Sequence, residues 1–135
     1  MKKLMLILFV GFLGINTNAQ DSEAKKATIE FKTDVIDYGE IAKGSDGVRQ
    51  FEFTNTGDAP LLIARVQSSC GCTIPKKPEG PINPGKTGVI EVKYDTKRVG
   101  PFRKTISVYS NADEMPTPIK IKGTILDDSK SVLEK

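Results

Sequence analysis

The sequence predicts an all-β fold, one antiparallel β-sandwich of about seven short strands, and three observations carry that reading. From Thr28 onward apolar and polar residues alternate at a period of two, and no stretch sustains a helical period. Clusters of glycine, proline, asparagine and aspartate break the alternation at regular intervals. The length of 135 residues suits a single domain whose core stands without help from other chains.

The first segment is set apart from that domain. Lys2 and Lys3 precede an apolar run from Leu4 to Ile15, and small residues reach Ala19, the pattern of a secretory signal peptide over residues 1–19. The run is shorter than the about 20 residues that span a bilayer. The mature chain is expected to be exported, periplasmic or secreted, with no transmembrane segment. Residues 20–27 read as a linker, 28–126 as the sandwich and 127–135 as a charged tail.

Ile29 and Phe31 alternate with charged neighbours as a first strand, and Val35 to Tyr38 form a short second run that Gly39 is expected to end. Lys43 to Gly47 reads as a turn. Val48 to Asn55 points Phe51 and Phe53 to one face and Gln50, Glu52 and Thr54 to the other. After the Asn55–Asp58 turn, Leu61 to Val66 is expected to bury Leu62, Ala64 and Val66. Pro75, Pro78, Pro81 and Pro84 fall every third residue, a polyproline repeat read as a stiff, non-pairing crossover that protects a sheet edge. Pro84-Gly85 suits the centre of a type II turn. Gly88 to Tyr94, Phe102 to Tyr109 and Thr117 to Leu126 complete the strands, with Val99-Gly100-Pro101 read as a break. Inward positions include Ile90, Val92, Ile106, Val108, Ile119, Ile121 and Ile125. There is no tryptophan, and the two cysteines are too close to bridge two sheets, so an immunoglobulin-like sandwich outside the antibody branch fits.

The composition excludes much chemistry. Without histidine there is no Ser-His-Asp triad, no Cys-His pair and no histidine metal site. Glu30, Glu52 and Glu91 lie on outward parities and Asp58 and Asp113 in turns, so paired-carboxylate hydrolysis lacks a site. Loss of Lys2 and Lys3 takes the net charge from +3 to +1, and no dense basic block remains for nucleic acid.

One candidate site is left, Cys70-Gly71-Cys72. Two thiols so close can cycle between dithiol and disulfide, but residues two apart in a straight strand lie about 6.6 Å apart. A bridge prefers roughly 5.5–6 Å between Cα atoms, a gap that a kink at Gly71 would close. Two thiolates also suit a soft, low-coordinate ion such as Cu(I), with Met115 the one soft donor elsewhere beyond the signal peptide. Arg65, Lys76 and Lys77 are the cations that a folded-back loop would bring near them. The third reading is structural, small residues packed at a strand end.

The ordered motifs Asp37-Tyr38-Gly39-Glu40-Ile41, Phe51 to Gly57, Ser69-Cys70-Gly71-Cys72-Thr73, Ile82 to Lys86, Gly100 to Ile106 and Ser110-Asn111-Ala112 resemble the domain-of-unknown-function 1573 family. That resemblance implies an exported bacterial domain similar to the immunoglobulin-like sandwiches of pilus chaperones and major sperm protein. It implies a motif of Ser69, Cys70, Gly71, Cys72 and Thr73, and no established activity. The expected function is a non-enzymatic binding or structural module of the cell envelope without a cofactor, contacting an envelope or secreted protein through loops and strand edges. The alternative is a thiol protein that holds Cu(I) or exchanges disulfides at Cys70 and Cys72.

Overall fold

The computed structural model describes residues 25–127, so the expected signal peptide, residues 20–24 of the expected linker and the expected tail beyond Asp127 lie outside the described residues. The described residues form two four-stranded sheets packed face to face. The strands are β1 (Ile29–Phe31), β2 (Val35–Ala42), β3 (Val48–Asn55), β4 (Ile63–Ser68), β5 (Thr73–Lys76), β6 (Thr87–Tyr94), β7 (Gly100–Ser110) and β8 (Thr117–Leu126). One sheet has the order β1-β3-β6-β5 and the other β2-β8-β7-β4.

The alternation does what the sequence promised at the centre of both sheets. Phe51, Phe53, Ile90 and Val92 are fully buried from one side, and Ile106, Ile119 and Ile121 from the other. Tyr38, Tyr94 and Phe102 close one end of this core, with Tyr94 and Phe102 stacked at 3.9 Å between ring centroids. The Tyr38 hydroxyl donates to Gly47 O at 2.8 Å, tying the β2–β3 turn to the core.

Five expectations are corrected. Among the described residues there are eight strands rather than about seven, because Thr73–Lys76 pairs with β6 despite Pro75. The sandwich is not wholly antiparallel, since β2 pairs β8 in parallel. Gly39 does not end β2; it takes a φ of +66° at a bulge between Asp37 and Glu40, and the strand continues to Ala42. Gly100 and Pro101 open β7, where they pair with Ile125 and Thr124. Finally, Leu61 and Ile63 are buried while Leu62 is exposed. A bulge between Ile63 and Arg65 then shifts the register, so that Val66 faces inward opposite Val108.

Asn55 is the buried polar centre of the fold, with no exposed surface. Its amide nitrogen donates to Ala59 O at 2.8 Å and to Ile82 O at 2.9 Å. Its side-chain oxygen accepts from Gly57 N–H at 3.0 Å and Thr28 N–H at 3.3 Å. One side chain thus serves four backbone groups from three segments. Gly57 completes the arrangement, because a Cβ there would run into the backbone of Lys26 and Thr28. Asn55→Ala removes this partner from Thr28 N–H, Gly57 N–H and Ala59 O, while Ile82 O keeps Leu61 N–H, and is expected to destabilise the fold by about 3 kcal/mol, read by urea unfolding. A loss below about 1 kcal/mol would contradict this role.

Candidate functional site

The cysteines lie where the chain crosses from one sheet to the other. β4 and β5 are edge strands of opposite sheets on the same side of the sandwich, and residues 69–72 join them. Ser69 N–H still donates to Thr105 O at 3.2 Å, so β4's register runs one residue past its end. The chain then turns, with Thr73 N–H donating to Cys70 O at 3.2 Å. That turn brings the Cα atoms of Cys70 and Cys72 to 5.2 Å, and a disulfide joins them. Cys72 is buried and Cys70 half-buried, while Gly71 and Ser69 are exposed.

Both sulfurs have a donor beside them. Cys72 N–H donates to Cys70 Sγ at 3.2 Å. The Thr73 hydroxyl, only 3% exposed, lies 3.8 Å from Cys72 Sγ. A bridged sulfur carries no hydrogen, so the hydroxyl is the donor.

The expected cations do not gather here. Arg65 is on the outer face of β4, its guanidinium 4.1 Å from the centre of the Tyr109 ring, and Lys76 and Lys77 are exposed beyond the clasp. Lys104 is the cation the sequence reading missed. It lies on the flanking strand, next to Thr105, whose O accepts from Ser69 N–H. Lys104 shares its side of β7 with Phe102, Ile106 and Val108 and is half-buried. Extending the inward parity of Val108 and Ile106 back along the strand would have found it. Met115 belongs to the turn after Ser110, and Ser110 pairs with Ile63 at the far end of β4, so it does not join the clasp. Among the described residues no three His, Cys, Asp or Glu come together.

Beside Cys72 an open groove of about 550 Å³ runs between the Gly44–Val48 turn and the end of β6, past the exposed Ile74. Its floor includes Tyr94, whose phenol burial raises above the ordinary tyrosine value. Burial likewise pushes the neighbouring Tyr38 phenol up to about 12.

The two strands that flank the clasp present different edges. Cys72 O accepts from Asp95 N–H at 2.9 Å, so alternation turns Ile74 and Lys76 toward β6 and Thr73 and Pro75 outward. The outward N–H of Thr73 is spent on Cys70 O, and Pro75 has none. The β5 edge therefore offers acceptors and no donor. On β4 the Ser69–Thr105 contact turns Arg65 and Gln67 toward β7 and leaves Val66 and Ser68 outward. Both keep an N–H and a C=O aimed away from the sheet. The remaining edges are blunted. β1 has three residues, and β2 is broken by its bulge, where Gly39 N–H is taken by Asp37 Oδ1 at 2.8 Å.

Residues 29–125 match the family described as "Protein of unknown function (DUF1573)". The chain belongs to the DUF1573 family. No curated protein matches it. Among solved structures, a protein of unknown function from Porphyromonas gingivalis W83 is similar at a TM-score of 0.67 and 20% identity, over 82% of this chain and 51% of that one. The chain thus spans about half the length of that relative. The ASH/PapD-like domain of human CEP192 is similar at a TM-score of 0.62 and 9% identity, over 76% of this chain and 87% of that one. The CsuC–CsuE chaperone–tip adhesion subunit pre-assembly complex of Acinetobacter baumannii has a chain similar at 0.53 and 12% identity, over 79% of this chain and 64% of that one. At these identities the likeness shows the fold, a PapD-like, immunoglobulin-like sandwich. Among the described residues no helix is long and apolar enough to cross a membrane.

The bridge closes almost no loop, so it stabilises little. Cys70→Ser with Cys72→Ser is expected to cost about 1–2 kcal/mol in urea unfolding and to leave the far-ultraviolet circular dichroism unchanged. Unfolding of the double variant at room temperature would make the clasp a structural necessity.

Proposed function

We propose that this chain is an exported, non-enzymatic binding module that accepts an extended segment of an envelope or secreted protein on the free edge of β4. The observation that carries the proposal is the pair of outward N–H and C=O groups on Val66 and Ser68, beside three edges that are short, bulged or stripped of donors. An added strand there would gain hydrogen bonds at both residues. Its side chains would alternate between the half-buried Val66 side and an outer face of Gln67, Ser107 and Tyr109. An alternating apolar and polar segment matches those two surfaces. The chaperone–subunit complex named above supports the reading by analogy of fold, since a domain of this shape there engages another protein.

Val66→Pro tests it, because proline removes the outward N–H at a position that owes β7 no hydrogen bond. A photo-crosslinking residue at Gln67 is expected to capture an envelope protein, and Val66→Pro to reduce that capture at least about tenfold with the fold intact. The same crosslinker at Ile74 on β5 is expected to give no such product. Equal capture from β5, or capture indifferent to Val66→Pro, would remove the β4 edge from the function.

A further inference from the structure

We propose that Cys70–Cys72 is a reducible disulfide that exchanges with a pair of cysteine thiols on an exported protein, with Thr73 and Lys104 as the residues that favour its reduced form. Three groups around the bridge interact more strongly with a thiolate than with a disulfide. The Thr73 hydroxyl is buried, and the Cys72 sulfur at 3.8 Å is the partner it has. A disulfide sulfur is a feeble acceptor, whereas a thiolate carries a full charge, so reduction at Cys72 gives this hydroxyl the partner that burial demands. Cys72 N–H already points at Cys70 Sγ from 3.2 Å and would stabilise charge there in the same way. Lys104 is half-buried on the inward side of β7, next to the Thr105 whose O accepts from Ser69 N–H, and the ion pairs found among the described residues do not include it. A cation so placed favours an anion on its neighbour. Nothing comparable stabilises the bridged state, because a loop this short contributes little to the fold.

The exchange balances without a cofactor. A thiolate of the partner attacks the more exposed Cys70 Sγ, forming an intermolecular S–S bond as the Cys70–Cys72 bond breaks. The electron pair leaves on Cys72 Sγ, beside the Thr73 hydroxyl. The partner's second thiol, deprotonated to solvent, then attacks its own sulfur in the mixed disulfide, and the pair leaves on Cys70 Sγ beside Cys72 N–H, next to the strand that carries Lys104. The partner dithiol is oxidised to a disulfide, and the clasp takes up two electrons. Its thiolates draw protons from solvent to the extent that their surroundings allow.

The test equilibrates the full mature chain in glutathione buffers of graded thiol-to-disulfide ratio. The reduced fraction is counted by alkylation and mass spectrometry. The wild-type pair is expected to titrate between reduced and oxidised within that range. Thr73→Val is expected to shift the equilibrium about fivefold toward the disulfide and Thr73→Ser to restore it. Lys104→Met, which keeps the apolar stem, is expected to shift it about fivefold in the same direction. Circular dichroism of each oxidised variant establishes that the fold is kept, and the Lys104 variant stands alone if Thr73→Val does not fold. A reduced two-cysteine peptide is the second probe, expected to gain a disulfide from the wild-type chain and none from Cys70→Ser. A pair that stays oxidised at every ratio, a constant unmoved by both variants, or a peptide left reduced would each overturn the proposal.

Discussion

Backbone hydrogen bonding at the sheet edges is the constraint on which the rest of this structure depends. Two open four-stranded sheets have four edges, and each presents N–H and C=O groups that another chain can pair with. Different local devices answer at three of them. β1 is only three residues long, β2 carries a bulge capped by Asp37, and β5 loses one donor to Cys70 O and another to Pro75. Pro75 therefore protects an edge from inside a paired strand, not from the non-pairing crossover that the proline spacing suggests. β4 has no such device after its bulge, and the outer face beside it is polar rather than a repellent block of like charge.

The same accounting explains the two unusual side chains. Asn55 is buried because the N-terminal approach, the β3–β4 turn and the lead into β6 converge without a shared ladder. One amide with two donors and one acceptor oxygen serves them all. Thr73 is buried because the clasp must turn from one sheet to the other within four residues, and that turn uses its N–H and aims its hydroxyl at sulfur. The first arrangement is saturated and serves stability. The second has a weak partner in the bridged state, which makes it the place where a change in sulfur chemistry is felt.

Much of this was legible in the sequence. The alternation through Phe51 and Phe53, and through Ile119 and Ile121, placed the centre of each sheet, since central strands bury one face along their length. The Asn83–Lys86 turn formed as Pro84-Gly85 suggests, with Lys86 N–H donating to Asn83 O at 3.0 Å. Bulges were not legible, because one extra residue at Ala64 or Gly39 reverses parity without a compositional mark. Strand β5 was hidden by its proline, which is tolerated only because its missing N–H faces outward. The cysteine pair was visible, but the cation on its flanking strand was not. Strand pairing sets Lys104 on the strand beside the clasp from more than thirty positions away, which proximity in sequence cannot reveal.

Residue-resolved amide hydrogen exchange on the free mature chain tests the central claim, that β4 is an open edge, most directly. Gln67 and Ser69 N–H are predicted to exchange slowly, held by β7, while Val66 and Ser68 between them exchange at least about a hundredfold faster. Thr73 on β5 is predicted to be slow as well, because Cys70 O takes its N–H. Equal protection along β4 would mean that its edge is already covered, and the account of how this domain receives a partner would fail.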